Sequence, residues 1–187
     1  MRVKLRYNAG MNITVFCSQY DVAEPYRAAV EDLAQRIAAG GHTLVFGGGD
    51  TGLMHTLALG VHTHGGRVVG VIRKPIAKEA YQDADEMHVV ADTREMNRGL
   101  IERGDVIVAL IGGVGTLNEL SDLLRSLKNG TSRKPVVVVN TDGFYDGLKQ
   151  QLLRMQKEGF VRDDVMRSVC FADTPEDAMR YIEGNGN

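Results

Sequence analysis

The chain has 187 residues, which is enough for one domain with a substantial buried core. Its 22 Lys and Arg against 24 Asp and Glu leave a formal net charge of −2, which argues against a protein that holds nucleic acid by bulk positive charge. Aromatic residues are only 6% and Trp is absent, which argues against an exposed platform for stacking bases.

Cysteine content and hydropathy both indicate a cytoplasmic protein without a membrane segment. Cys17 and Cys170 lie in apolar runs, which predicts two buried thiols in a reducing compartment. No apolar run approaches the roughly 20 residues that cross a bilayer, and the basic start of the chain lacks the apolar segment of a secretion signal. Residues 1–11 fit either a disordered N-terminal arm or an upstream start, and residues 12–187 form the predicted domain.

Strand-like and helix-like segments alternate along that domain. Short β-branched or all-apolar runs predict strands, and apolar residues at helical spacing predict helices. In chain order, the pattern predicts strand 12–17, helix 25–39, strand 43–46, helix 52–62, strands 67–72 and 86–90, helix 94–103, strand 105–111, helix 116–128, strand 135–140, helix 144–157, strand 168–171, and a last helix that Thr174 caps and Pro175 opens.

This alternation predicts an α/β fold, a Rossmann-like doubly wound parallel sheet in a single domain. Such sheets bind ligands at the carboxyl ends of their strands, near the point where the strand order reverses.

Two glycine-rich turns follow predicted strands and lead into helices. Residues 47–54 read GGGDTGLM, and residues 112–119 read GGVGTLNE. Glycine permits a positive φ and lets the backbone approach a ligand, while the helix that follows directs free N–H groups at the same place. Neither turn is a Walker loop or a dinucleotide fingerprint. The pair therefore predicts an anion site, with phosphate as the expected ligand.

Glu119 follows Thr116 by three residues and allows two interpretations. It can direct its carboxylate toward a ligand held by the second turn. It can equally complete a capping box, with Thr116 as N-cap and Glu119 as the third helical residue. The two interpretations are compatible, since a capping carboxylate can still face a cleft.

These residues resemble the LOG family of phosphoribohydrolases, often labelled lysine decarboxylase-like. Residues 112–119 are similar to the family motif PGGxGTxxE, and residues 47–54 to its upstream motif GGGxxGLM. Further matches are FCS at 16–18, KPV at 134–136, GFY at 143–145 and EGFV at 158–161, so the resemblance spans residues 12–161.

The resemblance implies hydrolysis of the N-glycosidic bond of nucleoside 5′-monophosphates, AMP or cytokinin nucleotides, to free base and ribose 5-phosphate. It implies no metal and no organic cofactor, a homodimer, and catalysis by Glu119 with an arginine. The implied substrate- and phosphate-binding residues are Ser18, Gly48, Gly49, Gly52, Met54, Gly112, Gly113, Gly115 and Thr116.

Three departures from the family pattern bear on this activity. Ile111 replaces the motif's Pro, His55 replaces a small residue, and Met96 stands at the usual place of the catalytic Arg. Arg94 and Arg98 are the nearest basic candidates and share a helix face, although both also fit a solvated surface. A nucleotide-binding sensor or carrier of the same fold, without catalysis, is therefore the alternative function.

The predicted homodimer needs a contact face, and the helix at 116–128 offers one. Its leucines, Leu120, Leu123, Leu124 and Leu127, fit either a dimer face or ordinary core packing, and the sequence leaves both open.

Overall fold

The computed structural model describes residues 10–184, so most of the arm predicted over residues 1–11 lies outside the described residues. Met11 is buried in the core. The seven strands are β1 (Asn12–Phe16), β2 (Thr43–Phe46), β3 (Arg67–Arg73), β4 (Glu86–Val90), β5 (Val106–Ala109), β6 (Val136–Val139) and β7 (Val169–Ala172). The helices are α1 (Tyr26–Ala39), α2 (Gly52–Thr63), α3 (Thr93–Arg103), α4 (Val114–Lys128), α5 (Asp146–Lys157), α6 (Asp163–Arg167) and α7 (Pro175–Ile182).

All seven strands form one parallel sheet in the order β4-β3-β2-β1-β5-β6-β7. Strand β1 lies at the centre, where Val15 pairs with Phe46 of β2 on one side and with Val108 of β5 on the other. Strands β2 to β4 thus extend the sheet on one side of β1, and strands β5 to β7 extend it on the other. The predicted Rossmann-like single domain is confirmed, and the strand order reverses between β1 and β5.

The central strands are buried because helices cover both faces of the sheet. Every residue of β5 and β6 is buried, as expected for the all-apolar runs of a doubly covered parallel strand. Helix α1 packs against α2 and α7, whereas α4 packs against α3 and α6. Among residues 10–184, no helix has the length and apolar character needed to cross a bilayer.

Helix α4 differs from its prediction in two respects. It begins at Val114 with Gly113 as N-cap, two residues earlier than predicted, and its N-cap makes no side-chain hydrogen bond. The capping-box interpretation of Thr116 and Glu119 is therefore wrong. Leu120, Leu123 and Leu127 are at most 5% exposed, and Leu124 is half-buried against the same core, so the core-packing alternative holds for these leucines.

Three short elements were not predicted from the sequence. They are α6 and two 3₁₀ segments, Lys74–Glu79 after β3 and Thr141–Gly143 after β6. All are too short to show a hydrophobic period, which is why pattern analysis misses them. The first of them lies next to the candidate site described below.

Candidate active site

A cleft of about 550 Å³ opens at the carboxyl ends of β1, β2, β3 and β5. This is the edge of the sheet at which the fold predicts a ligand. A larger cavity of about 830 Å³ lies beside β7, but neither glycine-rich turn lines it. The cleft is lined by residues 17–20, Gly47, Gly49, Thr51, Met54, Ile72, Arg73, Ile76, Glu79, Thr93, Met96, Asn97, residues 113–116, Asn118 and Glu119.

The two glycine-rich turns meet in this cleft, as predicted. Gly49, Gly113 and Gly115 line it, together with the predicted residues Ser18, Met54 and Thr116. A β-carbon added to Gly113 or Gly115 would meet nothing within 4 Å, so the backbone of the second turn faces open space. A ligand can therefore approach its N–H groups closely.

The other predicted glycines, Gly48, Gly52 and Gly112, do not line the cleft but shape its walls. Gly48 has a φ of +73° and lies against Ile72 and Met87, where a β-carbon would be 3.1 Å from each side chain. A β-carbon on Gly112 would stand 2.1 Å from Oγ1 of Thr116. Close packing thus requires glycine at these positions, and their contact with a ligand stays a prediction.

The N-caps of α2 and α4, Thr51 and Gly113, both line the cleft, and neither helix has a side-chain capping hydrogen bond at its N-terminus. On α2, the N–H of Met54 donates to the carbonyl oxygen of Ser18 at 3.2 Å. On α4, the first helical residues are Val114, Gly115 and Thr116, and all three line the cleft. The start of α4 is therefore the better anion site of the two.

Ser18 connects the loop after β1 to this site. It is buried, and its Oγ accepts a hydrogen bond from the N–H of Tyr20 at 3.0 Å, while its carbonyl accepts from α2. The bond from Tyr20 lies within the loop, and the bond from Met54 holds the loop against the first glycine-rich turn. The predicted participation of Ser18 is thus positional, with its side chain forming part of the cleft wall.

Glu119 is the acidic group inside the cleft that burial affects most. It lies about one turn beyond Thr116 on α4, is half-buried, and burial raises its pKa to about 8. Burial, and after it the nearby charge of Glu119, raises the pKa of the Cys17 thiol above its usual range. A carboxyl group that titrates near neutral pH can both give up and accept a proton at working pH.

Neither predicted arginine reaches the cleft of its own chain. Arg94 and Arg98 are exposed and line a second cavity, between α3 and α4, where Arg98 lies 3.8 Å from Glu102. Neither is among the residues that line the cleft with Glu119, so the structure of the single chain does not place either of them at the ligand, contrary to the expectation. Met96 lines the cleft in their place.

Arg73 places a guanidinium group at the cleft, at a position that the sequence did not mark. It is the last residue of β3, is half-buried and lines the cleft. Its signal in the sequence was its place directly after the apolar run of β3, at the carboxyl edge where ligands bind.

Asn97 and Asn118 were also missed. Asn97, on α3, is only 2% exposed, and its Nδ2 donates to Oδ1 of Asn118 at 3.2 Å. Both residues line the cleft. A single polar residue on an amphipathic helix carries no pattern that separates it from a solvated position, so only the tertiary structure reveals it. Among the described residues, no three His, Cys, Asp or Glu side chains are grouped as a metal site requires.

Known proteins share both the sequence and the fold of this chain. The family model described as "Possible lysine decarboxylase" matches residues 54–182. The cytokinin riboside 5′-monophosphate phosphoribohydrolase of Mycobacterium tuberculosis is 35% identical over 187 residues, covering 96% of this chain and 97% of that protein. The cytokinin riboside 5′-monophosphate phosphoribohydrolase LOG of Oryza sativa subsp. japonica is 32% identical over 174 residues, covering 91% and 72%.

Solved structures agree on the fold. The molybdenum cofactor carrier protein of Chlamydomonas reinhardtii superposes with a TM-score of 0.72 at 22% identity, covering 93% of this chain and 96% of that one. The molybdenum cofactor binding protein of Rippkaea orientalis gives 0.71 at 22%, covering 96% and 98%. At this identity the likeness establishes the shared fold alone.

Proposed function

The chain belongs to the family of the cytokinin riboside 5′-monophosphate phosphoribohydrolases, and we propose that it hydrolyses the N-glycosidic bond of nucleoside 5′-monophosphates. The products would be the free base and ribose 5-phosphate, with cytokinin nucleotides and AMP as substrates. The observation that carries the proposal is one cleft holding both the uncapped N-terminus of α4 and the half-buried carboxyl group of Glu119, whose pKa burial raises.

The 5′-phosphate would bind at the start of α4. Gly115 and Thr116 line the cleft in the first turn of α4, at the positive end of the helix dipole, and Arg73, which also lines the cleft, adds a full positive charge. Binding energy from this remote group would hold the sugar in place for reaction.

Glu119 would act on the glycosidic bond. With a pKa of about 8, its carboxyl group holds a proton at neutral pH. As the bond between sugar and base breaks, this proton passes to the leaving base, and the carboxylate left behind stabilises the positive charge on the oxocarbenium-like sugar. A water molecule then adds to C1′, and its proton returns to Glu119. This sequence uses no metal and no organic cofactor.

The family description also names a lysine decarboxylase, and the cleft does not support that activity. A pyridoxal enzyme needs a lysine at its cofactor site. No lysine is among the cleft-lining residues of the described chain. Lys134 instead donates from its Nζ to the carbonyl oxygens of Ile101 and Glu102, at 2.7 and 2.6 Å, at the end of α3.

A homodimer remains part of the proposal, with a contact face different from the leucines of the core. Val114 is 84% and Leu117 is 49% exposed at the start of α4, next to the cleft. A second copy of the chain that covers them would also shield the cleft from water. Leu117→Glu should then yield a monomer in analytical ultracentrifugation, whereas a monomeric unmodified protein would exclude the dimer.

The function is tested by incubating the protein with AMP and with isopentenyl-AMP and measuring the released base by chromatography. We expect release with at least one of them, and a loss of at least about 100-fold in kcat for Glu119→Gln, since the variant has no proton to give. Base release that is unchanged in this variant would remove Glu119 from the mechanism. Tight binding of both nucleotides without any release would favour the carrier.

A further inference from the structure

A buried amide lies on the boundary between the cleft and the second cavity. Asn97 lines both of them, although only 2% of the residue is exposed. Its Nδ2 donates to Oδ2 of Asp122 at 2.7 Å and to Oδ1 of Asn118 at 3.2 Å. These two bonds use both hydrogens of the amide nitrogen.

The surroundings fix which way this amide points. Asp122 is held by Arg125, whose Nη2 donates to Oδ1 of Asp122 at 2.8 Å, so the Asp122 carboxylate can only accept. A reversed amide would bring the oxygen of Asn97 against that carboxylate. The nitrogen of Asn97 must therefore face Asp122, and Oδ1 must face away from it.

The amide oxygen is left without a partner. Oδ1 of Asn97 is buried and accepts no hydrogen bond from any described residue. Leaving such an oxygen unpaired costs about 1–3 kcal/mol, which a ligand that donates to it would recover. Asn97 is itself among the residues that line the cleft, so this unpaired acceptor belongs to a side chain in the cleft wall.

We propose that Oδ1 of Asn97 accepts a hydrogen bond from a ribose hydroxyl group of the substrate, and that it thereby selects ribonucleotides over deoxyribonucleotides. The identity of the ligand rests on the proposed function. The acceptor itself is a property of the structure. Asn97 would be a binding residue that sets specificity and takes no part in proton transfer.

The position of Asn97 favours the sugar over the phosphate and the base. An ionised phosphate has only acceptors, and an amide oxygen would repel it. Asn118, which contacts Asn97, is next to Glu119 in the chain, and Glu119 would act at the sugar. The amide therefore lies on the side of the cleft where the ribose hydroxyl groups would be.

The test measures binding by calorimetry, with ribose 5-phosphate and its 2-deoxy and 3-deoxy forms as probes. We expect the protein to bind ribose 5-phosphate about 10-fold or more tighter than one of the deoxy forms, which identifies the hydroxyl group. In Asn97→Leu, which has a similar size and no acceptor, this ratio should fall to about 1. The affinity for the discriminated deoxy sugar should change little.

A second variant guards against a loss of structure in the first. Asp122→Asn keeps the shape of the network, but its side chain can donate as well as accept, so the Asn97 amide is free to reverse. The preference for ribose 5-phosphate over the deoxy sugar should then lie between that of the wild type and that of Asn97→Leu. Arg98→Gln, which lines only the second cavity, is the matched control and should keep the full ratio. Circular dichroism verifies the fold of each variant.

The outcomes separate this inference from the proposed function, because binding is measured and not turnover. Equal affinity of the wild type for all three sugars would overturn the inference even if base is released from AMP. A preserved preference for ribose without any base release would overturn only the hydrolase. A deficit of Asn97→Leu toward AMP but not toward inosine 5′-monophosphate would assign the acceptor to the amino group of the base, and so overturn the ribose assignment.

Discussion

The α-carbon of Gly52 lies directly against the backbone of Gln19. A β-carbon added there would stand 2.3 Å from the carbonyl oxygen of Gln19, and the φ of Gly52 is +56°, in the left-handed region. This contact seats the N-terminus of α2 on the loop that follows β1.

Replacing Gly52 should therefore destabilise the fold more than its φ alone explains. Gly65, at the end of α2, also has a positive φ, +75°, but a β-carbon there meets nothing within 4 Å. Gly65→Ala should cost about 1–2 kcal/mol of unfolding free energy, the cost of left-handed backbone. Gly52→Ala should cost clearly more in urea unfolding, because the Gln19 backbone must also move. Equal losses of unfolding free energy in the two variants would show that the loop at Gln19 moves aside at no cost.

The titration of Glu119 should make stability depend on pH. The folded protein holds this proton up to about pH 8, whereas an unfolded chain loses it near pH 4.3. Between these values the folded state binds more protons, so the Glu119 contribution to stability falls as pH rises and levels off above about pH 8. Glu119→Gln stays neutral. It should match the wild type at pH 4 and exceed it by up to about 5 kcal/mol at pH 9.

Urea unfolding of both proteins at a series of pH values measures this difference, and other titrating groups cancel in the comparison. Two parallel curves would mean that Glu119 titrates alike in the folded and the unfolded protein, so that burial does not raise its pKa.

Arg73 should govern affinity for the phosphate. Arg73→Gln should weaken binding of ribose 5-phosphate about 10- to 100-fold, since a charge-assisted contact is lost, and the deficit should shrink at high salt. Arg94→Gln and Arg98→Gln are the matched controls, because both arginines line the other cavity. Calorimetry gives the three affinities. An equal loss of affinity in either control would assign phosphate binding to that arginine of α3 instead.

Tyr145 should stabilise the second glycine-rich turn. It is buried, and its hydroxyl group donates to the carbonyl oxygen of Leu110 at 2.7 Å, just before the turn. Tyr145→Phe leaves this carbonyl unsatisfied and should cost about 1–3 kcal/mol in thermal unfolding. Tyr26→Phe, at a ring that packs edge-on against Phe144, should cost less than about 0.5 kcal/mol. A similar loss in both would show that the hydroxyl bond is unimportant.

Much of the fold was predictable because several of its strands are uninterrupted apolar runs. The four consecutive valines of β6 and the uninterrupted apolar run of β5 allow little besides buried parallel strands. Thr174 caps α7 as predicted, accepting from the N–H of Asp177. The start of α4 was misplaced because Gly115 is a weak helix former, and its position at a ligand-facing N-terminus outweighs that propensity.

The site was predictable only where backbone chemistry marks it. Glycine-rich turns between strand and helix are visible in sequence, and they located Gly113, Gly115 and Thr116 on the cleft. Arg73 and Asn97 come from β3 and α3, distant in the chain, and only the sheet order brings them together with Glu119. Asn97 lines the cleft whereas Arg94 does not, because the two side chains leave α3 in different directions. Those directions depend on how the helix is rotated about its axis, which the local sequence does not determine.

The central place of β1 has a consequence for synthesis on the ribosome. A nascent chain that ends before Val106 already contains β1 to β4 but lacks β5, the partner of β1 on its other side. The backbone hydrogen-bonding groups along that edge of the apolar strand β1 therefore stay unpaired until β5 has been synthesised. Truncations that remove β5 to β7 should accordingly aggregate rather than persist as a half-size domain, and chaperone demand should peak at that stage of translation.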